Sequence, residues 1–349
     1  MIAVTDAPPI AFSPRRGFLN VGIALLVFIL ACAGLNALLP FPEIDVVSAE
    51  LRFYEKHKDE FDTLFVGSSH IHHQISPALF DRIMREGGHP THTFNLGING
   101  MFPPESGFVL ERLLRSKPRH LKWVILELDE LETRRFPQAE ASRRALYWHD
   151  WRRTALVLQQ IFETAPGSKT WDARDRFFFH TALFAKNFAN IGRKIDLSWW
   201  SSHLVKESAP PRELGPDNDG FVPQNRTLTA EETFAYETGL KEAVARTESR
   251  FVSAATEKAY RQWAEEVKRS GATPIFLVTP KTTQIKLGFR PESGIDAAIL
   301  RFNDAGAYPQ LYRQEARFDT DHLNGTGAEE FTKLVAHHLS QLMEKNRVP

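Results

Sequence analysis

The sequence predicts an α/β protein: a parallel β-sheet with helices on both sides, an N-terminal membrane helix and a long insertion. Three observations carry that expectation. Short apolar runs that stop at glycine-rich turns alternate with amphipathic segments, the rhythm of β-α-β units. One of them, Trp123-Val124-Ile125-Leu126-Glu127-Leu128, is almost continuously apolar, as a strand buried on both faces must be. And residues 17–39, GFLNVGIALLVFILACAGLNALL, contain no charged side chain.

A chain of 349 residues has room for a large core. Its 43 basic and 43 acidic residues cancel, so nothing in the charge balance points to nucleic acid or to a general attraction for acidic lipid. Cys32 is the only cysteine, which rules out an intrachain disulfide without ruling out an oxidising compartment.

As a helix, residues 17–39 would extend about 35 Å, enough to cross a bilayer. Arg15 and Arg16 precede the run and Pro40 follows it. Arginines held on the cytoplasmic side would put everything from residue 41 onward outside. The expected topology is a cytoplasmic segment 1–16, an anchor 17–39 in the inner membrane and an extracytoplasmic domain 40–349. Ala31-Cys32-Ala33 also resembles a signal-peptide cleavage site, and Ile29-Leu30-Ala31-Cys32 loosely resembles a lipoprotein box. The apolar run continues to Leu39, past either cut, which favours a retained anchor.

Beyond a short linker, VVSAELRFYEKHKDEF reads as an amphipathic helix, and a strand follows at 62–67. Ser76-Pro77 opens a helix that Gly87-Gly88 closes. A second strand, Thr91 to Leu96, runs into Asn95-Leu96-Gly97-Ile98-Asn99-Gly100, and PPESGFVLERLLR forms the next helix. Residues from about 130 to 250 break the rhythm. They are rich in Trp, Phe, Arg and His (YWHDWRR, RFFFH, DLSWWSSH) and read as a partly helical insertion, a lid or docking surface. Its aromatics are core or else a surface for sugar or lipid. The pattern resumes with a helix over about 248–270, a strand Thr273–Thr279, a possible short helix at 295–302, and a last helix with Thr326 and Glu329 as a capping box.

The chemistry gathers around two stretches. In Asp62-Thr63-Leu64-Phe65-Val66-Gly67-Ser68-Ser69-His70, an apolar strand ends at a glycine and two serines enter the turn. A serine there exposes its hydroxyl as a nucleophile must, although turn serines also serve as plain caps. Far downstream, Asp319-Thr320-Asp321-His322 places a carboxylate three residues before a histidine. Asp319 can hold one ring nitrogen while the other accepts a serine proton. Asp321 is a rival orienter, but adjacent side chains point apart. His70, His72 and His73 crowd the serine turn; no carboxylate or cysteine pattern accompanies them, so no metal is expected. The Gly-x-Ser-x-Gly elbow of α/β-hydrolases is incomplete here.

Together these residues resemble the SGNH (GDSL-type) hydrolases, a superfamily of serine esterases and acyltransferases. The resemblance covers 60–130 and 250–345. It implies a flavodoxin-like three-layer α/β/α sandwich, with Ser69 as nucleophile, His322 as base and Asp319 as its orienter. It also implies an oxyanion hole from the Ser69 and Gly100 backbone N–H groups; Ser68 and His70, beside the turn, are candidates to line the pocket. The family's asparagine after the third strand is missing, because Glu127-Leu128-Asp129-Glu130 stands there; Asn99 or a backbone amide would replace it. One membrane span with a Gly-Ser-Ser turn is most similar to anchored proteins that act beside membrane-bound O-acyltransferases. The implied activity is O-acylation of a cell-envelope polysaccharide through an acyl-serine. Its implied partners are such an acyltransferase and a glycan acceptor, with no cofactor. An esterase on envelope glycan or lipid, and a non-catalytic scaffold, are the alternatives.

Overall fold

The structure, a computed structural model, describes residues 14–38, 44–134, 143–164, 170–190 and 214–345. The aromatic stretch 196–203 lies outside them. Helix α1 (Pro14–Leu38) contains an uninterrupted apolar span, Gly17–Leu38, long enough to cross a membrane. Its Phe18, Leu25, Val27 and Leu30 side chains face outward, uncovered by the rest of the chain.

The domain is built on a five-stranded parallel sheet. Helix α2 (Asp45–His57) leads into β1 (Thr63–Gly67), followed by the short α3 (Ser69–Gln74) and by α4 (Pro77–Glu86). Then come β2 (Thr93–Gly97), α5 (Glu105–Arg115) and β3 (Trp123–Glu127). The insertion contributes α6 (Arg143–Tyr147), α7 (Trp151–Thr164), α8 (Thr170–Phe188) and α9 (Ala230–Ala245). The chain returns through β4 (Glu248–Phe251), α10 (Ala254–Arg269), β5 (Thr273–Val278), β6 (Ile285–Gly288), β7 (Ala298–Arg301) and α11 (Gly325–Lys345). Strand order is β2-β1-β3-β5-β7, every pairing parallel; β4 and β6 form a separate parallel pair.

Alternation along the strands supplies a core on each face. Leu64, Val66, Val124, Leu126, Phe276 and Val278 point to one side, against α2, α5 and α10. Phe65, Ile125, Ile275 and Leu277 point to the other, where Phe80 of α4 and Phe331, Val335 and Leu339 of α11 cover them. The free edge of β2 is covered as well: Asn95 N–H donates to the Asp219 carbonyl at 2.9 Å, and Val222 N–H to His72 O at 3.1 Å. The end of the insertion therefore lies over both β2 and α3.

Three local expectations are corrected. The helix expected from about 248 begins at Ala254, because the exposed residues Glu248–Phe251 pair as β4 with β6. The short helix expected at 295–302 is instead β7, the far edge of the main sheet, whose Leu300 and Phe302 enter the core. The cap of α11 is Asn324, whose Oδ1 accepts the Gly327 N–H at 3.1 Å; Thr326 already lies within the helix.

Candidate active site

All the singled-out side chains lie at the carboxyl ends of the strands, where ligands of open α/β sheets bind. Strand β1 ends at Gly67, and the chain turns at once into α3. A Cβ on Gly67 would lie 2.4 Å from Ile71 Cγ1 and 2.7 Å from Glu127 Oε2, so only glycine lets the turn sit this close to β3. Ser68 is the N-cap: its Oγ accepts the His70 N–H at 3.2 Å. Ser69 is the first helical residue and is half-buried, its hydroxyl at the open end of the sheet.

The loop before α11 brings the second stretch to the first. Ser69 Oγ lies 2.8 Å from His322 Nε2, and His322 Nδ1 lies 2.9 Å from Asp319 Oδ2. Asp319 Oδ1 also accepts the backbone N–H groups of Asp321 (2.8 Å) and His322 (2.7 Å). Burial alone would raise the Asp319 carboxyl, but the imidazole and these two N–H groups outweigh it and hold it well below the usual carboxylate range. A carboxylate so held keeps the proton on Nδ1, which leaves Nε2 as an acceptor for the Ser69 O–H.

Asp321, the rival orienter, turns away. Its Oδ2 is 3.4 Å from His70 Nε2, an ion-pair distance. The buried His70 ring stacks on His322 with centroids 4.7 Å apart and planes 16° from parallel. Its Nδ1 is 3.0 Å from Ser68 Oγ and 3.5 Å from Glu127 Oε1. Burial pushes the His70 pKa down, yet Asp321 and Glu127 outweigh it and the net shift is upward. His73 instead approaches the Val222 carbonyl through Nδ1, at 2.6 Å. The buried His72 is lowered to about 4, chiefly by burial and then by His73. The His72 and His73 rings meet edge to face with centroids 4.5 Å apart, and among the described residues no group of His, Cys, Asp and Glu is placed to hold a metal ion.

Glu127 occupies the end of β3, where the resemblance leads one to expect an asparagine nearby. Its carboxylate accepts the Ser68 N–H at 2.7 Å and the Thr279 hydroxyl at 3.2 Å. Lys281 Nζ lies 3.3 Å away and contacts Asp129 Oδ2 at 2.6 Å. Burial would raise Glu127; Lys281, His70 and the Ser68 N–H reverse that, and it stays ionised. Glu127 therefore fastens the serine turn from below. Sequence reasoning missed Lys281, and its signal was modest: a lone cation one residue past Pro280 at a strand end.

Gly100 closes the turn after β2 in the left-handed region, φ +69°, where glycine is favoured. Neither its N–H nor that of Ser69 has an acceptor among the described residues. Asn99 is engaged elsewhere: its carbonyl accepts Arg144 Nη1 at 2.7 Å, and its side chain lies against His73. Arg144, from α6 of the insertion, also grips Glu105 at 2.8 and 3.2 Å, and Tyr147 hydrogen-bonds the same carboxylate. The insertion thereby clamps the turn that carries Gly100.

The arrangement supplies what nucleophilic acyl chemistry needs at its start: a hydroxyl bonded to a base, and an anion orienting the base. No protein-family model matches this chain, and no curated protein matches it.

Proposed function

We propose that this chain is a membrane-anchored serine acyltransferase of the SGNH type, acting on a cell-envelope glycan. The observation that carries the proposal is the continuous Ser69–His322–Asp319 chain of hydrogen bonds, 2.8 and 2.9 Å, assembled from stretches 250 residues apart. The strand order, read along the sheet as second-first-third-fourth-fifth, is the flavodoxin-like order and supports the same assignment.

In the proposed reaction Ser69 Oγ attacks the carbonyl carbon of an ester or thioester while His322 Nε2 takes the hydroxyl proton. The oxyanion is met by the Ser69 and Gly100 N–H groups. The bond to the leaving group breaks, the leaving oxygen or sulfur takes the proton from His322, and acyl-Ser69 remains. A glycan hydroxyl then gives its proton to His322 and attacks the acyl carbon, forming the new ester and restoring Ser69. Water in place of that hydroxyl would make the same site an esterase. The α1 span motivates the setting: an inner-membrane anchor with the domain outside and a membrane-bound O-acyltransferase as the acyl source.

Mass spectrometry of quenched protein after p-nitrophenyl acetate tests this directly. The expected result is one acetyl group on Ser69, present in Ser68→Ala and absent in Ser69→Ala and His322→Ala. Acetylation elsewhere, or equal turnover by Ser69→Ala, would sink the assignment of the nucleophile. Absence of any adduct when the acyltransferase partner is also present would favour a non-catalytic scaffold.

A further inference from the structure

Insertion and core meet in a cleft of about 310 Å³, at the small end of the range for small-molecule sites. Gly100 and Phe102 belong to its core wall, and Trp148, Phe179 and His180 to its insertion wall. The cleft thus shares Gly100 with the site described above, and it gives the insertion a reason to clamp that turn.

Its electrostatics are specific. Arg144 is paired with Glu105, and Arg134 with Glu132 at 2.6 Å, so each guanidinium on the wall already holds a carboxylate. His149 and His180, also on the wall, hydrogen-bond each other at 2.9 Å. Burial and each ring's surroundings hold His149 down to about 3 and His180 down to about 4, so both rings are neutral at neutral pH. Charge around the cleft sums to zero. A phosphate or a uronate would find no unpaired cation, and an aliphatic chain would desolvate the ion pairs without replacing their hydrogen bonds. A sugar ring fits both halves of the lining: its C–H face covers aromatic surface, and its hydroxyls meet carboxylate and guanidinium edges.

We propose that this cleft is the acceptor subsite and takes one uncharged sugar ring of the glycan. The word acceptor rests on the acyl-transfer reading; binding of the sugar does not. The test is calorimetric titration of the full chain in a zwitterionic detergent free of sugar headgroups. Cellohexaose and maltohexaose are the neutral probes, trigalacturonate the acidic one and decanoate the acyl one. At least one neutral probe is expected to bind saturably to wild type and equally to Ser69→Ala, and about tenfold more weakly to Phe179→Leu and Trp148→Phe. Those two variants keep most of the packing, and their melting by circular dichroism checks that they fold. Preference for trigalacturonate or decanoate, no saturable binding of either neutral probe, or binding indifferent to both substitutions would overturn the proposal. Neutral-sugar binding by a protein that never forms acyl-Ser69 would uphold the subsite while removing the transfer reading.

Discussion

Ser68 and Ser69 stand side by side with opposite fates. Ser68 is buried, its N–H on Glu127 and its hydroxyl beside His70; Ser69 turns its hydroxyl to His322. Ser69→Ala is expected to lower ester turnover by about three orders of magnitude or more, whereas Ser68→Ala keeps the acyl adduct. Glu127 is the residue whose loss should cost most in stability. Glu127→Gln removes the buried anion beside the partly buried Lys281, which keeps Asp129; breaking a fully buried ion pair costs about 3–5 kcal/mol, so about 2–3 kcal/mol is expected here. Urea denaturation should read that loss, and adding Lys281→Met should recover part of it; strictly additive losses would show that the two residues do not interact. The pH dependence follows from the same cluster. Asp321 is lowered to about 2 and Asp319 is lowered too, so their contribution is present above about pH 4 and is lost as pH falls through their folded values. His70 is raised, so its contribution is full below about pH 6.5 and fades as pH rises through its folded value. His72, His149 and His180 are lowered, so their contribution is present above about pH 6.5 and is lost as pH falls through their folded values. Melting temperature should therefore be highest near neutral pH and fall on the acid side. His70→Gln should lessen the alkaline decline while also shifting the acid side, because His70 helps to hold Asp321 down. The meeting of Ser69, His322 and Asp319 could be anticipated from the sequence because each sits beside a turn signal. Glu127 could be read only as a departure, since nothing local says that a carboxylate at a strand end will hold a neighbouring backbone N–H.

At the level of elements, the sheet was legible wherever a strand is buried on both faces, as β1, β3 and β5 are. The misread elements share a physical cause. Strand β4, Glu-Ser-Arg-Phe, is exposed throughout and pairs only with β6, so no apolar run marks it. Strand β7, Ala-Ile-Leu-Arg, is an apolar run too short to separate strand from helix by period. Helices α7 and α8 of the insertion meet each other, and α7 meets α10, so the sequence around them lacks the strand-helix rhythm of the sheet. Helix α11 carries the loop that delivers His322, so its start matters. Asn324→Ala removes the cap and the two amide bonds to the Glu315 and Arg317 carbonyls, at 2.8 and 3.2 Å. The expected loss is about 1–2 kcal/mol by urea denaturation. Asn324→Ser, which keeps a cap oxygen without turning a buried anion on those two carbonyls, should lose less; equal losses would mean that the cap contributes nothing.

For the whole molecule, α1 determines how the protein is handled. The full chain should remain with membranes after alkaline carbonate washing, while residues 44–349 should be soluble. Protease added to spheroplasts should digest the domain if it lies outside; full protection would reverse the proposed orientation. The insertion touches α1 too: Asn36 Nδ2, near the C-terminal end of that helix, donates to the Phe188 carbonyl of α8 at 2.9 Å.

The short tie between anchor and domain has a kinetic side. Five residues, 39–43, separate α1 from the first described residue before α2, and such a segment reaches at most roughly 20 Å. With α1 in a membrane, as proposed, the domain would be leashed to a thin layer beside the bilayer, and encounter would become a search in two dimensions. A membrane-held acyl donor of the proposed kind would then be met at an effective concentration set by the tether rather than by bulk solution. The proposed glycan acceptor, by contrast, would be modified only along the portion that passes through that layer, so acylation would mark polymer near its point of export rather than material already released.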